Sequence, residues 1–412
     1  MINRPEYLKK LLGFKDKQLI KIVTGVRRCG KSTLFKLYQA ELAKLNVTPE
    51  QIQSINLEDV DNEHLLDYKV LHEHIKTRLV SDKQNYIFLD EIQNVKDFEK
   101  AVRSIFDKNN VDLYLTGSNS KLQSGEWATS LAGRYVEIHM FPLSFKEYVS
   151  THPYNATKDE LYFHYVEYSS FPQIISMIES HTAKQEQANI NEIKSQIFDY
   201  LSGIYSTIVL KDVVENKKIK EVDRLERVIK FMADNIGSET SIKRISDMLT
   251  SDGVKILPLT VESYLDAFRD SYILYKADRY DVKGRKLLKT LNKYYLVDLG
   301  LRRFLLGDKA VDRGHVLENV VYLELMRRGY KVYVGKVGEK EVDFVAEGPN
   351  GTEYYQVSET VRGKETLERE VTPLDAIRDH NPKFILTRDY EPQTSHNGIK
   401  QLNVLEWLLG NV

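Results

Sequence analysis

The residues with the clearest chemical potential lie in one short segment near the amino terminus, GVRRCGKS, from Gly25 to Ser32. The segment matches G-x-x-x-x-G-K-[ST], follows the apolar run LIKIVT and opens a helical pattern, which is the context that this motif requires. Its glycines allow backbone N–H groups to surround phosphate oxygens, and the helix N-terminus adds partial positive charge. The sequence therefore predicts a phosphate-binding loop made of Gly25, Val26, Arg27, Arg28, Cys29, Gly30, Lys31, Ser32 and Thr33.

Two residues of this loop and two carboxylates further along the chain predict a metal-assisted hydrolytic site. We expect Lys31 to contact the β- and γ-phosphates and the Ser32 hydroxyl to ligate Mg²⁺, which prefers oxygen ligands. In YIFLDEIQ a buried strand ends in Asp90 and Glu91. We expect Asp90 to hold Mg²⁺ through water and Glu91 to act as the general base. A solvated acidic strand end is the alternative interpretation.

The predicted nucleotide is ATP. A guanine-reading N-K-x-D sequence is absent, since Asn216-Lys217 and Asn292-Lys293 lack the following Asp. Adenine is therefore the expected base, and ATP and Mg²⁺ are the expected cofactors of a reaction that yields ADP and phosphate.

Polar residues after two later strands are further candidates. The segment LYLTGSNS places Thr116, Ser118 and Asn119 where a side chain can sense the γ-phosphate, and Asn119 is our catalytic candidate. An ordinary Gly-Ser turn is the alternative. In LAGRY, Arg134 is expected at the nucleotide-facing edge of the sheet, where a guanidinium neutralises phosphoryl charge in its own subunit or a neighbour's. A surface salt bridge is the alternative.

The composition is that of an ordinary globular protein. There are 59 Lys and Arg residues against 60 Asp and Glu residues, so net charge predicts no partner. The single cysteine, Cys29, excludes an internal disulfide, fits a reducing compartment and is interpreted as a small filler, with redox sensing a lesser option. The charged first residues do not form a signal peptide, and no apolar run reaches the ~20 residues of a membrane span. We expect a cytoplasmic protein without membrane association.

The order of apolar patterns predicts an α/β fold with several domains. Strand-like runs alternate with helical segments up to about Ser150, which indicates a parallel sheet of the P-loop NTPase kind in residues 1–150. A helical connector is expected over 151–221. Residues 222–312 give three helical periods and two strand-like runs, the order of a winged helix, and 313–412 form a small α/β unit.

Together, GVRRCGKS, FLDEIQ, TGSNSKL, LAGRY and FPLSFKEY resemble the prokaryotic AAA-like P-loop ATPases, close to the archaeal-type and signal-transducing lineage. The likeness continues through TVESYLDAFRDSYILYKADRYDVKGRK, KYYLVDLGLR, GHVLENVVYLELMRRGYKV and EVDFVA. It implies an additional-strand P-loop fold, a winged helix and a terminal domain similar to PD-(D/E)xK nucleases.

The winged-helix region combines a basic turn with an acidic helix. Between Arg279 and Arg303 there are eight basic residues and two acidic ones, an excess that suits phosphate contacts. The expected recognition helix, LTVESYLDAFRD, carries three acids and one arginine, which does not suit a major-groove reader. A winged helix that packs against protein is therefore an equal alternative.

The terminal domain departs from its nuclease-like pattern. The resemblance assigns metal binding to Glu318, Asp343 and a third acid two positions before a lysine, but this sequence has Gln356 and Ser358 there. A serine cannot supply a cationic proton donor, so nuclease activity is doubtful. Glu324 is a rival acid that needs a buried partner.

Two hypotheses follow. The first is an ATPase that couples ATP turnover to double-stranded DNA or a DNA-associated protein. A homo-oligomer is one form in which this ATPase can act. The second is an ATP-dependent protein-interaction switch with an inactive nuclease-like domain. A small-molecule phosphotransferase is disfavoured because the Asp-Glu pair suits water activation.

Overall fold

A computed structural model describes residues 2–118, 131, 133–151, 156–182, 190–215, 219–307, 312–391 and 394–412. The chain divides into two compact units. The first comprises Met1–Pro142 with Asp270–Tyr272, and the second comprises Leu143–Arg269 with Ile273–Val412.

The first unit alternates strands and helices, as the sequence predicts. The strand-like apolar runs LIKIVTG, IQSINLE, NYIFLDE, DLYLTGS and YVEIHMF each contain a strand. The strands are β1 (Ile20–Thr24), β2 (Ile52–Asn56), β3 (Asn85–Asp90), β4 (Val111–Gly117) and β5 (Tyr135–His139). The helices are α1 (Pro5–Gly13), α2 (Lys31–Lys44), α3 (Tyr68–Lys76) and α4 (Phe98–Phe106).

These five strands form one parallel sheet in the order β2-β3-β4-β1-β5. Strand β4 lies between β1 and β3, which is the additional-strand arrangement that the resemblance implies. Every residue of β1, β3 and β4 is buried, since helices cover both faces of such a sheet. The carboxyl ends of β1, β3 and β4 lie at one edge, and this edge carries the predicted site residues.

Aliphatic side chains from the sheet and from α3 and α4 form the core of the first unit. Ile22, Leu89 and Leu113 contribute from strands, and Ile75 and Ile105 from the helices. Burying each such side chain stabilises the fold by about 1.5–3 kcal/mol. The core thus fixes the sheet edge on which the polar residues stand.

The second unit begins with helices. They include α5 (Phe145–Thr151), α6 (Lys158–Tyr168), α7 (Pro172–Thr182) and α8 (Ile190–Thr207), after which Ile208–Glu215 is a π-helix. Then come α9 (Val222–Asp234), α10 (Ile242–Ser251) and α11 (Pro258–Asp270). Side-chain caps determine where several of these helices begin. Thr157, for example, forms a capping box with Glu160 at the start of α6.

The strands of the second unit form a single mixed sheet of eight, in the order β12-β13-β11-β10-β9-β8-β6-β7. They are β6 (Leu274–Asp281), β7 (Lys286–Leu296), β8 (Lys331–Val337), β9 (Lys340–Gly348), β10 (Gly351–Ser358), β11 (Lys383–Thr387), β12 (Thr394–His396) and β13 (Ile399–Asn403). The associated helices are α12 (Leu299–Leu306), α13 (Arg313–Arg327), α14 (Lys364–Asp375) and α15 (Val404–Leu409).

The helices and the hairpin expected of a winged helix occur in the predicted order, as α9, α10, α11, β6 and β7. However, β6 also pairs in parallel with β8, so the hairpin shares a sheet with the carboxyl-terminal strands. The winged-helix and nuclease-like assignments, with boundaries at 221 and 312, stay predictions. Within the described residues, no helix is long and apolar enough to cross a membrane.

Candidate nucleotide site and carboxylate cleft

The loop between β1 and α2 has a backbone that demands glycine at two places. Gly25 has φ 143°, and a Cβ atom there would lie 2.1 Å from the carbonyl oxygen of Met140. Gly30 has φ 105° and is the N-cap of α2. Side chains rarely adopt these conformations, so both glycines of the motif are required for the chain to turn from strand into helix.

Arg4 anchors the loop from behind. Its side chain is only 3% exposed, and it donates from Nη1 to the Cys29 carbonyl oxygen at 3.1 Å and from Nη2 to that of Phe141 at 2.8 Å. The guanidinium thereby ties the phosphate loop to the segment after β5. Sequence reasoning missed Arg4, because nothing near it in the chain indicates a partner 25 residues away.

Lys31 lies at the centre of the loop. Its Nζ donates to the carbonyl oxygens of Gly25 at 3.0 Å and Val26 at 3.4 Å, and lies 3.5 Å from Glu91 Oε1. Burial is the largest single influence on the pKa of Lys31 and acts to lower it, but the negative groups around Lys31, first among them Glu91, together outweigh burial and raise the pKa. The pKa of Glu91 is lowered, because Lys31 and a hydrogen bond from Gln93 outweigh the effect of burial. Both groups are therefore charged at neutral pH.

Asp90 and Ser32 meet at the same edge. The Asp90 carboxylate accepts hydrogen bonds from the hydroxyls of Ser32 and Thr116, and the backbone N–H of Glu91 donates to Thr116 Oγ1 at 2.8 Å. Burial raises the pKa of Asp90 despite these bonds. The carboxylate and the hydroxyl offer oxygen ligands, and the buried negative charge favours a nearby cation. This combination fits a hard divalent cation.

Glu91 is held by its backbone as well as by its side chain. It has φ 54° and ψ 50°, the left-handed region, and is the N-cap of a short 3₁₀ helix at Ile92–Asn94. Such a conformation costs a non-glycine residue energy and is commonest where function requires it. The side chain of Gln93 donates to Glu91 Oε2. Ser118, fully buried after β4, also contributes to the low pKa of Glu91.

The remaining loop residues have distinct environments. Arg27 pairs with Glu58 at 3.0 Å, whereas Arg28 is exposed with φ 66°. Thr33 lies half-buried in the first turn of α2. Cys29 is fully buried, and burial raises the pKa of its thiol, as suits a small filler more than a reactive group.

The expected position of Arg134 is wrong. It directly precedes β5, whose first residue, Tyr135, pairs with Ile20 at the start of β1, whereas the phosphate loop follows the other end of β1. Arg134 is thus on the opposite edge of the sheet, about 13 Å away along the strand. Its exposed guanidinium lies 3.5 Å from Asp107. Parallel pairing imposes this position, which excludes a role as a sensor in its own subunit.

Asn119 lies outside the described residues, so its role stays a prediction. The structure brings together Lys31, Ser32, Asp90 and Glu91. The sequence candidate Thr116 joins them, and Gln93 is a further residue that the sequence analysis did not single out. Gln93 could have been noticed from its place two residues after Glu91 in DEIQ.

A second group of buried charged residues lines a cleft of about 950 Å³ in the second unit. Lys293 Nζ lies 3.0 Å from Glu318 Oε1 and 2.7 Å from Glu341 Oε1. Tyr295 donates to the same Glu318 oxygen at 2.5 Å. Lys293, on β7, thus places a cation beside Glu318 although Ser358 stands where the nuclease-like pattern has lysine.

The other side of this cleft is formed by β9, β10 and α14. Gln356 Oε1 accepts from the N–H of Asp343 at 2.7 Å, and its Nε2 donates to Glu370 Oε2 at 2.8 Å. Asp343 Oδ2 accepts from the N–H of Val357 at 2.8 Å. Burial and the charge of Glu318 raise the pKa of Asp343 well above its ordinary value. Both ends of the Gln356 amide are therefore engaged within the protein.

The rival acid Glu324 has two cationic partners, of which Arg327 has a side chain that is only 8% exposed. Its Oε1 accepts from Arg328 Nε at 2.9 Å, and Arg327 lies 3.6 Å from Oε2. These pairs lie on α13 itself, so Glu324 is used in packing. In the described residues, no cluster of three or more His, Cys, Asp or Glu has the arrangement of a metal site.

The basic excess around the β6–β7 hairpin is smaller in the fold than in the sequence. Lys283, Arg285 and Lys286 at its tip are exposed. Four of the other basic residues are used internally: Arg279 with Glu239, Lys293 with Glu318, Arg302 with the Ala233 carbonyl oxygen and Arg303 with Glu167.

Comparisons with known proteins agree with the geometry of the first unit. Residues 17–149 match a family model described as an AAA domain, and residues 160–312 match one described as a domain of unknown function. An uncharacterized protein of Haemophilus influenzae is 37% identical over 413 residues, 99% of each chain. An uncharacterized protein of Methanocaldococcus jannaschii is 29% identical over 393 residues, 90% of this chain and 82% of the other.

Among solved structures, the Walker-type ATPase of Pyrococcus abyssi superposes with a TM-score of 0.53 at 14% identity, covering 74% of this chain and 96% of that one. At this identity the likeness concerns the fold alone. It extends beyond the AAA domain into the second unit.

Proposed function

Because the chain belongs to the AAA-like P-loop ATPase family, we propose that it binds ATP with Mg²⁺ and hydrolyses it at the edge formed by Lys31, Ser32, Asp90 and Glu91. The observation that carries the proposal is the convergence of Lys31 and Glu91, from β1–α2 and β3, at 3.5 Å in a buried site. A phosphate binder and an acid from separate strands meet there as hydrolysis requires.

Each residue has a role that follows from its contacts. Lys31 and the loop N–H groups hold the β- and γ-phosphates, and Ser32 and Asp90 would hold Mg²⁺, which neutralises phosphate charge when bound. Glu91 is ionised, since Lys31 and Gln93 lower its pKa, and so accepts a proton from the attacking water. Thr116 hydrogen-bonds to both the Asp90 carboxylate and the Glu91 backbone N–H, which holds the two acids in a fixed relative position.

We further propose that ATP turnover is coupled to double-stranded DNA through the tip of the β6–β7 hairpin. Lys283, Arg285 and Lys286 are exposed there, and no ion pair of theirs occurs in the described part of the chain. Cations of this kind contact the phosphate backbone without reading sequence. Helix α11 is not the DNA reader, because exposed Glu262 and Asp266 lie on it.

The test is the steady-state rate of ATP hydrolysis with and without duplex DNA, with the oligomeric mass measured in ATP. We expect hydrolysis that depends on Mg²⁺ and rises with DNA, and none with Lys31→Ala. Absence of hydrolysis under every condition contradicts the ATPase. A rate indifferent to DNA contradicts only the coupling.

A specific observation favours the alternative of a protein-interaction switch. Leu257 and Leu259, at the start of α11, are 67% and 77% exposed, next to the acidic surface of that helix. Exposed leucines beside acids suit a protein partner with apolar and basic groups. In that case Leu257→Ser and Leu259→Ser together abolish partner capture while DNA-independent hydrolysis persists.

A further inference from the structure

The second unit contains a cavity of about 430 Å³ that shares only Asp312 with the carboxylate cleft. It lies between α6, α12 and the start of α13, and its volume is typical of small-molecule sites. Tyr162, Phe163 and Val166 of α6 form an apolar wall, and Phe163 is 55% exposed. The wall can accept a flat apolar group.

Two of the carboxylates that line the cavity pair with arginines, and the third, Asp312, contacts a histidine. The pairs are Glu167 with Arg303 at 2.7 Å, Glu359 with Arg388 at 3.6 Å and Asp312 with His315 at 2.5 Å. Two lining arginines, Arg302 and Arg313, have no ion pair within the part of the chain that the structure describes. Four arginines and three carboxylates line the cavity, so its lining carries one surplus positive charge.

Of these two arginines, Arg302 gives the stronger indication of a bound anion. Only 3% of the residue is exposed, and its Nε donates to the Ala233 carbonyl oxygen at 2.8 Å. Burial lowers its pKa although Asp312 and Asp234 act to raise it. A buried guanidinium without a carboxylate partner is costly, and an anion in the cavity would remove that cost.

We propose that this cavity binds a small organic anion, with a phosphate or carboxylate group held by Arg302 and Arg313 and a flat apolar body against Tyr162, Phe163 and Val166. The planar fork of arginine matches both anionic groups. An inorganic ion would satisfy the arginines but leave the aromatic wall uncovered. This proposal stands independently of ATP hydrolysis.

Calorimetric titration of the full chain with phenyl phosphate, benzoate and inorganic phosphate tests it. All titrations use the Lys31→Ala background, so that the phosphate loop does not contribute. We expect one site per chain for phenyl phosphate or benzoate, with inorganic phosphate at least about tenfold weaker than phenyl phosphate. Arg302→Met and Arg313→Ala should each lower affinity about tenfold or more, whereas Arg227→Ala, which removes an exposed arginine outside the cavity, should not.

The stronger of the two aromatic anions identifies the anionic group. The proposal is overturned if neither binds at millimolar concentration, if both arginine variants bind like the parent, or if inorganic phosphate binds as tightly as phenyl phosphate. Should Arg302→Met fail to fold, Arg313→Ala decides alone, because Arg313 is exposed and its loss leaves packing intact.

Discussion

Nζ of Lys31 lies 3.5 Å from Oε1 of Glu91, and the two side chains are only 4% and 10% exposed. The same ammonium contacts the carbonyl oxygens of Gly25 and Val26, so it connects the phosphate loop with the carboxylate that we propose as the base. The two residues are therefore coupled, although 60 positions separate them in the chain. Substituting either one also changes the electrostatic environment of the other.

Lys31→Ala should abolish ATP binding, whereas Glu91→Gln should bind ATP and hydrolyse it poorly. Glutamine preserves the shape of Glu91 but cannot accept the proton, so we expect a loss in kcat of about 10²- to 10⁴-fold with little change in ATP affinity. Nucleotide binding and single-turnover hydrolysis measure the two effects separately. Near-normal turnover of Glu91→Gln would show that Glu91 is not the base.

Reversal of charge at Lys283, Arg285 and Lys286 together should weaken duplex binding and flatten its salt dependence. Each lost phosphate contact removes about 0.9 from the slope of log K against log salt, so three contacts remove nearly three. Binding measured at several salt concentrations gives this slope, and Arg224→Glu serves as a control for net charge. Unchanged affinity in the triple variant would favour the protein-binding alternative.

The carboxyl-terminal cleft should not cleave DNA with Mg²⁺ or Mn²⁺. Lys293 already pairs with both Glu318 and Glu341, and both ends of the Gln356 amide are hydrogen-bonded, so these groups have partners within the protein. Incubation with supercoiled and linear DNA checks this. Cleavage that disappears on Asp343→Ala would contradict the prediction and make Lys293 the first candidate for the lysine that Ser358 replaces.

Arg134 can act in catalysis only across a subunit boundary, because parallel pairing puts it on the far edge of its own sheet. If it does so, Arg134→Ala should cut turnover by about 10³- to 10⁵-fold while ATP affinity persists. Mixing Arg134→Ala with Lys31→Ala chains should then restore some activity by pairing an intact loop with an intact arginine.

Asp107→Ala is the matched control for this experiment, since it removes only the exposed pair with Arg134, which is worth about 0–1 kcal/mol. If Arg134→Ala behaves like Asp107→Ala, or if mixed oligomers form and stay inactive, Arg134 has only the structural role.

His139 should make the protein less stable in mild acid. Burial and the nearby charges of Lys31 and Lys10 lower the pKa of His139 to about 3, far below its unfolded value of about 6.5. Between these values the unfolded chain binds a proton that the folded chain does not, so stability falls as pH falls, by about 1.4 kcal/mol per pH unit.

Urea unfolding of the parent and of His139→Phe between pH 7.5 and 5 measures this contribution. Phenylalanine suits the site because the rings of Phe141 and Tyr272 lie 4.6 and 4.7 Å from the imidazole. The variant should lose stability less steeply below pH 6.5. Parallel curves would show that His139 titrates normally in the folded chain.

Local sequence patterns were sufficient for the α/β class, the five strands of the first unit and the residues of the phosphate loop. Local sequence context predicts the roles of Gly25, Gly30 and Lys31. It also predicts the strand that ends in Asp90. These predictions depend on backbone conformation and hydrophobic period, which are properties of short segments. The additional strand of the sheet was predicted from the family resemblance and not from the hydrophobic periodicity of the sequence.

Tertiary structure alone decided which residues meet. Arg4 reaches Phe141 across 137 positions, Lys293 reaches Glu318 across 25, and β6 pairs with β8. The position of Arg134 was predicted wrongly for the same reason: the edge of the sheet on which a residue lies depends on the direction and order of the strands. Pairing between strands is set by long-range packing of buried faces, and no short segment of the chain contains that information.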